Sequence, residues 1–551
     1  MFFKSRAKNN FSAADQSRFY RPGTLVFSIL MALWWTIVFD IPYWNQLSQS
    51  IPFSQWSVYI GFGGVLFFIG LSLILLLSFL PRFLFKLVMI VLTLIGATAF
   101  CGSFYYGAVI SPDMMRNVLA TSTSESMAYL SLRTTIGYLF VALPPLFLIF
   151  WMGPKRRSMR WGWLIKAGGV LLSLILGIAC VAANFQALAG INRSDHTLRY
   201  YIAPVNVIWS TAKTYVSDDS PDAIKVREVI DPSPEMTVKP KEPVLFVVLV
   251  GETARRFNWG LDGYARDTTP QLRALNVINF TDMTSCGTST DISVPCMMSR
   301  VGRFNYDRKR IISEETLPTL LKQAGFNVIW VDNQGGCKGA CTEVTSLRPE
   351  FDPKYCEKGG DCLDGVFFKN VKDVLANLTP DKPTVLFLHM MGSHGPKYYV
   401  RSTDEIKQFK PECRDADLAS CSKPSIVNAY DNSILYTDYV LSEIIRELKA
   451  DPKVASGLIF MSDHGESLGE NGLYLHGAPW LVAPKEQYSI PGILWLSDSF
   501  VKAYDVNMPA LEAASTKPSS HDNLFSTMLG LLKVKSSVYD PSLDLSHPKA
   551  P

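Results

Sequence analysis

Apolar residues come in long unbroken blocks over the first third of the chain and in short bursts afterwards. Five blocks are long enough to cross a bilayer: Thr24 to Tyr43, Trp56 to Leu80, Phe83 to Tyr105, Thr134 to Gly153 and Trp161 to Ala183. They predict five transmembrane helices, with a kink in the fourth at Pro144 and Pro145. Lys166 lies near enough to the end of the fifth for its ammonium to snorkel. No small-residue cleavage site follows the first block, so an uncleaved anchor is expected.

Basic residues mark three segments: Lys4, Arg6, Lys8, Arg18 and Arg21; Arg82 and Lys86; and Lys155, Arg156, Arg157 and Arg160. Loops rich in Lys and Arg stay cytoplasmic. The N-terminus is therefore expected inside, and everything beyond about Asn184 outside. The outer loop, 106–133, carries Asn117, Thr121 and Glu125 at intervals of four, which one helix face would share. Such a face is commonly just solvated. Residues 184–243 bridge the two parts. As far as Ala212 they mix apolar and polar residues and suit a membrane surface. From Val216 to Pro243 they are rich in Pro, Asp, Ser and Lys, as linkers are.

Past Pro243 the pattern changes. Short apolar runs recur at Val244 to Val250, Phe326 to Val331, Val385 to His389, Leu458 to Met461 and Ile493 to Leu496. Helical patterns such as Glu315 to Ala324 and Tyr436 to Leu448 lie between them. Alternating strands and helices predict an α/β domain, 244–551, around a mostly parallel sheet. The expected organisation is a membrane domain (1–183), a bridge (184–243) and this outer domain.

Composition agrees: 48% of residues are hydrophobic and only 19% charged. The net charge of +4 forms no long basic stripe, which argues against a nucleic-acid partner. No obligate protein partner is implied. The spans are nearly free of ionisable residues, unlike those of a transporter. Eight of the ten cysteines fall into close pairs: Cys286 and Cys296, Cys337 and Cys341, Cys356 and Cys362, Cys413 and Cys421. Such spacing predicts local disulfides in an oxidising compartment. Reduced thiols or a zinc-binding cysteine cluster are the alternative.

Ionisable residues gather where strands are expected to stop. Glu252 follows the first run, His389 and His394 the third, and Asp463, His464 and Glu466 the fourth, with His476 nearby. Ligands and catalytic groups collect at the carboxyl ends of strands in such sheets. Glu252, Asp463 and His464 would suit a divalent cation, with zinc, manganese and calcium all open. Taken singly, each has a bland reading as a cap or hydrogen-bonded loop residue. The segment Thr284 to Ser299 is dense in hydroxyls, and Thr288, Ser289 and Thr290 are equal candidates for a nucleophile on composition.

Five motifs in order resemble those of the lipid A phosphoethanolamine transferases, members of the alkaline phosphatase/sulfatase superfamily. They are VGET (Val250 to Thr253), SCGTST followed by SVPC (Ser285 to Cys296), DNQGGCKGAC (Asp332 to Cys341), GSHGP (Gly392 to Pro396) and SDHGESLGENGLYLHG (Ser462 to Gly477). The resemblance implies that Thr290 is the nucleophile and binds zinc with Glu252, Asp463 and His464. One zinc is held tightly, with room for a second. Lys338, His394 and His476 match positions that hold the phosphoethanolamine group or that second ion, and Glu466 joins them. His394 or His476 would move protons. Asn117, Thr121 and Glu125 match a face used for the lipid substrate. The implied reaction is ping-pong transfer from phosphatidylethanolamine to lipid A in the bacterial inner membrane, with polymyxin resistance as its consequence. Related acceptors, such as lipopolysaccharide core sugars, remain open. Two positions depart from the family pattern. Asp291 stands where relatives carry a small or uncharged residue, and Gln334 where some carry Asn or Asp. The added carboxylate is expected either to disfavour an approaching phosphate or to bind an ion.

Overall fold

The computed structural model describes residues 23–547, apart from 52, 122–125, 127–130, 152–158, 186–187, 189–196, 217–225, 358–360, 417 and 471. The basic N-terminal tail, Lys155 to Arg157 and Glu125 lie outside the described residues. The chain forms two compact units. One holds residues 1–97 and 139–194, and the other 98–138 and 195–551. The expected outer loop thus belongs to the same unit as the C-terminal part.

Four helices of the described residues are long and apolar enough to cross a membrane: Phe53–Leu77, Arg82–Tyr106, Leu132–Trp151 and Gly162–Ala183. The expected first span is broken. Its helix Thr24–Trp34 passes through a π turn, Trp35–Phe39, into Ile41–Ser50, with a bend of 48°. Pro42 explains the break, because it has no N–H and its ring clashes with the carbonyl four residues back. The Trp44 indole donates to Thr36 O (2.7 Å) and so satisfies a carbonyl at the bend. Counted as one span, the bent pair makes five. The helix Leu132–Trp151 continues through Pro144 and Pro145. Phe140, Phe147 and Phe150 on it are exposed, a pattern suited to lipid. Ser72 and Ser173 share a buried hydrogen bond (2.7 Å) between the helices that carry them. Lys166 donates to Ser78 O at a helix end.

The second unit is built on a sheet of eight strands: β1 (Val244–Gly251), β2 (Ile278–Thr284), β3 (Asn327–Asp332), β4 (Thr345–Leu347), β5 (Thr384–His389), β6 (Ala455–Ser462), β7 (Ser489–Leu496) and β8 (Ser519–Ser520). Their order across the sheet is β8-β2-β7-β6-β1-β5-β3-β4. All neighbours are parallel except where β7 lies between β2 and β6. Every residue of β1, β5 and β6 is buried, as continuous apolar runs covered on both faces should be. Alternate residues of β1 feed two cores. Val244, Phe246, Val248 and Val250 pack with helices Leu317–Gln323 and Asp522–Leu531. Leu245, Val247 and Leu249 pack with the long helix Lys423–Ala450. Each large apolar side chain so buried contributes roughly 1.5–3 kcal/mol. The result is a three-layer α/β/α domain with its central strands fully enclosed.

One expectation needs correction. The helix bearing Asn117 spans only Pro112–Ala120, and Thr121 is already extended. The Thr121 hydroxyl donates back to Asn117 O (2.7 Å). Thr121 therefore lies beyond the end of the helix that carries Asn117. The bridge forms a helix at Val205–Val216 that packs within this unit. Ser210 donates to Ile110 O (2.7 Å) and Thr214 to Pro112 O (3.2 Å). The disulfides join Cys286 to Cys296, Cys337 to Cys341, Cys356 to Cys362 and Cys413 to Cys421, while Cys101 and Cys180 are free thiols.

Candidate active site

Three adjacent parallel strands deliver the site. In the register Val250 is level with both His389 and Met461, and Gly251 with Ser462. Glu252 and Asp463 therefore leave the sheet side by side. Asp463 N–H donates to Gly251 O (2.9 Å) and Ser393 N–H to Glu252 O (3.0 Å). Gly392 makes that last approach. Its φ is +52°, and a Cβ there would lie 2.4 Å from Glu252 O. Only glycine fits such a position. Gly392→Ala is expected to unseat Glu252, costing about 1–3 kcal/mol of stability and at least ~10-fold in metal affinity. Thermal unfolding with and without added zinc measures both, and a midpoint equal to wild type under each condition would refute the packing argument.

Glu252, Asp463 and His464 can offer three ligand atoms to one ion. His464 Nε2 lies 3.4 Å from Glu252 Oε1 and 3.4 Å from Asp463 Oδ2. Thr290 Oγ1 lies 3.1 Å from Glu252 Oε2 and 3.4 Å from His464 Nε2. Ligands about 2.0–2.1 Å from a tetrahedral zinc stand roughly 3.3–3.4 Å apart, so these four side chains fit that ion. All three ionisable residues are buried, and Asp463 Oδ2 accepts no hydrogen bond from the described residues. Burial pushes the Asp463 carboxyl up to about 6, the cost of an anion away from water. A cation among these groups removes that cost.

The hydrogen bonds of the histidines set their tautomers. His464 Nδ1 is 2.8 Å from Gly465 O, so it carries the proton and leaves the Nε2 lone pair facing the cluster. Burial, then the nearby His476, holds His464 well below the usual imidazole range, which keeps it neutral. Burial does the same for His394, aided by His476 and Arg401. His476 Nδ1 is 2.8 Å from Glu466 Oε2, and Glu466 is fixed in turn by the Tyr398 hydroxyl at 2.5 Å. The rings of His464 and His394 lie 4.3 and 5.4 Å from that of His476. Two further ligand groups, Glu252 with His394 and His476, and His464 with Glu466 and His476, adjoin the first.

Thr290 opens the helix Thr290–Met297, with Ser289 extended before it. Thr288 uses its hydroxyl on Ala478 O (2.6 Å), whereas Thr290 points at the acid cluster. The Cys286–Cys296 disulfide closes the loop onto this helix. His521 ties the loop to the sheet. Its Nδ1 accepts from Cys286 N–H (3.0 Å), so the Nε2 proton is donated to Ser462 O (2.9 Å). Burial pushes His521 down to about 4, which preserves that neutral bridge. The sequence pattern does not single out His521 or Tyr398. The available signal was the small number of histidines, seven in all.

The other expected residues lie around this centre. Lys338 Nζ donates to Gly335 O (3.0 Å), and its charge is felt at His394. Gln334 Nε2 is 3.3 Å from Glu252 Oε2. A Cβ on Gly477, next to His476, would lie 3.4 Å from Asn117 Nδ2, so Asn117 borders the site. Thr121 follows at the helix end, and Glu125 is outside the described residues.

Comparison with known proteins agrees with this arrangement. Residues 245–534 match the Sulfatase family, and residues 66–218 match the family described as Phosphoethanolamine transferase EptA/EptB. Phosphoethanolamine transferase EptA of Salmonella typhimurium is 35% identical over 96% of this chain and 97% of its own. Phosphatidylethanolamine transferase Mcr-1 of Escherichia coli is 31% identical over 93% and 95%. The solved integral membrane lipooligosaccharide phosphoethanolamine transferase A of Neisseria meningitidis superposes with a TM-score of 0.89 at 30% identity, covering 96% of this chain and 99% of that one. Membrane helices, a sulfatase-type sheet and full-length likeness together place the chain in the lipid A phosphoethanolamine transferase family.

Proposed function

We propose that the chain moves phosphoethanolamine from phosphatidylethanolamine to a phosphate of lipid A, with Thr290 carrying the group between two half-reactions. The observation behind this reading is the position of Thr290 Oγ1, 3.1 Å from Glu252 Oε2 and 3.4 Å from His464 Nε2. Zinc held by Glu252, Asp463, His464 and Thr290 would lower the pKa of the hydroxyl and neutralise phosphoryl charge.

In the first half-reaction the Thr290 Oγ1–P bond forms and the P–O bond to diacylglycerol breaks. The Thr290 proton is directed at Glu252 Oε2. His476, oriented by its hydrogen bond to Glu466, protonates the departing glycerol oxygen. His394, held neutral by burial, receives a proton from the acceptor in the second half. A lipid A phosphate oxygen then attacks the same phosphorus, and Thr290 leaves, taking back the proton held at Glu252 Oε2, while the proton gained by His394 passes to the neighbouring His476 and restores it as the acid. Lys338 offsets charge on the phosphoryl oxygens, and Asn117, with Thr121 beside it, contacts the donor lipid.

The basic segments support an N-terminus in the cytoplasm, with the site on the periplasmic side of the inner membrane. Each ammonium added to lipid A lowers its negative charge, so polymyxins and other cationic peptides bind less. Mass spectrometry of lipid A from expressing cells is expected to show addition of one phosphoethanolamine. Unmodified lipid A beside abundant, membrane-inserted protein would move the reaction to another acceptor.

A further inference from the structure

Asp291, directly after Thr290, brings a negative charge to a place where a phosphate must arrive. The structure gives that carboxylate two arginine partners. Arg308, at the start of helix Arg308–Ser313, grips the residue twice. Its Nη2 lies 3.0 Å from Asp291 Oδ2, and its Nη1 donates to Asp291 O at 3.3 Å. Arg116, on helix Pro112–Ala120, places Nε 3.7 Å from the same carboxylate oxygen. The side chains of Asp291, Arg308 and Arg116 are 9%, 10% and 14% exposed. The carboxylate therefore stands against two guanidinium groups.

The same contacts have a mechanical reading. Helix Pro112–Ala120 carries Asn117 immediately after Arg116. At Gly477, a Cβ would lie 3.3 Å from Met114 Cε and 3.4 Å from Asn117 Nδ2. This helix thus meets the active centre at two points: the start of the Thr290 helix, through the Arg116–Asp291 pair, and the loop of His476, through Met114 and Asn117.

We propose that Asp291 is a positioning residue, a clasp whose carboxylate joins Arg116 to Arg308 and keeps the Asn117 helix in register with Thr290. The proposal rests on the reading of Thr290 as carrier and Asn117 as a donor contact. Nearly buried partners of this kind are strongly coupled, because removing one leaves the other's charge uncompensated. The clasp acts on placement of the donor lipid, so its loss falls mainly on KM.

The test is a double-mutant cycle on the full-length protein in detergent micelles, with phosphatidylethanolamine as donor. Asp291→Ala and Arg116→Ala are each expected to raise the donor KM about tenfold, with kcat changed much less. The double variant should be no worse than either single one, and Asp291→Glu should recover part of the loss. Additive effects, an unchanged KM or a loss confined to kcat would overturn the clasp. A lowered KM in Asp291→Ala would also overturn it, since the carboxylate would then be repelling the donor. Should Asp291→Ala fail to fold, Arg116→Ala against Arg116→Lys decides the matter, with KM raised more in the alanine variant if the clasp holds and equally if it does not. Wild-type protein exposed to donor is analysed alongside for phosphoethanolamine on Thr290. Its absence would defeat the carrier reading, whereas its presence with unchanged KM in the variants would defeat the clasp alone.

Discussion

Thr290→Ala is expected to lower transfer by about 10⁴-fold or more while the protein stays folded and still binds donor lipid. Loss of a covalent nucleophile removes the pathway rather than one contact in it. The neighbouring hydroxyls cannot stand in for it. Thr288 donates to Ala478 O, and Ser289 precedes the helix start in an extended conformation. Thr290→Ser keeps the reacting oxygen and should retain a substantial part of the rate. Turnover of a fluorescent phosphatidylethanolamine measures both variants. Alanine activity above about one tenth of wild type would remove Thr290 from the reaction.

Removing the metal is expected to abolish transfer and also to loosen the fold. Glu252, Asp463 and His464 are buried, and without a cation two carboxylates share a site away from water. Burial pushes the Asp463 carboxyl up, so ionising it without a cation beside it is costly. An ion present at 1,000 times its dissociation constant stabilises the folded state by about 4 kcal/mol. Exhaustive chelation should therefore lower the unfolding midpoint by several degrees, on the order of 5–10 °C. Added zinc should restore both midpoint and transfer. Asp463→Asn should start from a lower activity and show a much smaller midpoint shift on chelation. Full activity in protein shown by elemental analysis to hold no metal would refute the assignment of these residues.

The parts of the fold that read clearly from sequence are those whose burial leaves no choice. VLFVVLV at Val244 to Val250 suits a strand covered on both faces, and it forms the middle of the sheet. Strand β2 does not stand out because INFTDMT is no continuous apolar run and its alternation breaks between Phe280 and Met283, its two buried residues. Strand β4 was missed because all three of its residues are exposed at the sheet edge. Along the first apolar block, hydropathy is blind to backbone geometry, so the bend at Pro42 did not register in a count of apolar residues. The same holds for the periodicity of Asn117 and Thr121, which counts positions but not where a helix stops.

In the site, Glu252, Asp463 and His464 were legible because charged residues directly after buried strands are costly unless paired. The choice among Thr288, Ser289 and Thr290 was not, since it depends on which hydroxyl the helix start turns toward Glu252. His521 and Tyr398 act through hydrogen bonds to residues distant in sequence, to Ser462 and Glu466. Arg116 and Arg308 meet at Asp291 from separate helices. Such meetings are products of topology, and no local pattern announces them.

The most direct measurement is peptide mapping by mass spectrometry after brief exposure of the purified full-length protein to phosphatidylethanolamine without acceptor. The expected spectrum carries one phosphoethanolamine on the peptide containing Thr290, at Thr290 itself, and the mark disappears when lipid A is added. A mark at another hydroxyl, or steady transfer to lipid A with no covalent mark at any stage, would contradict the account.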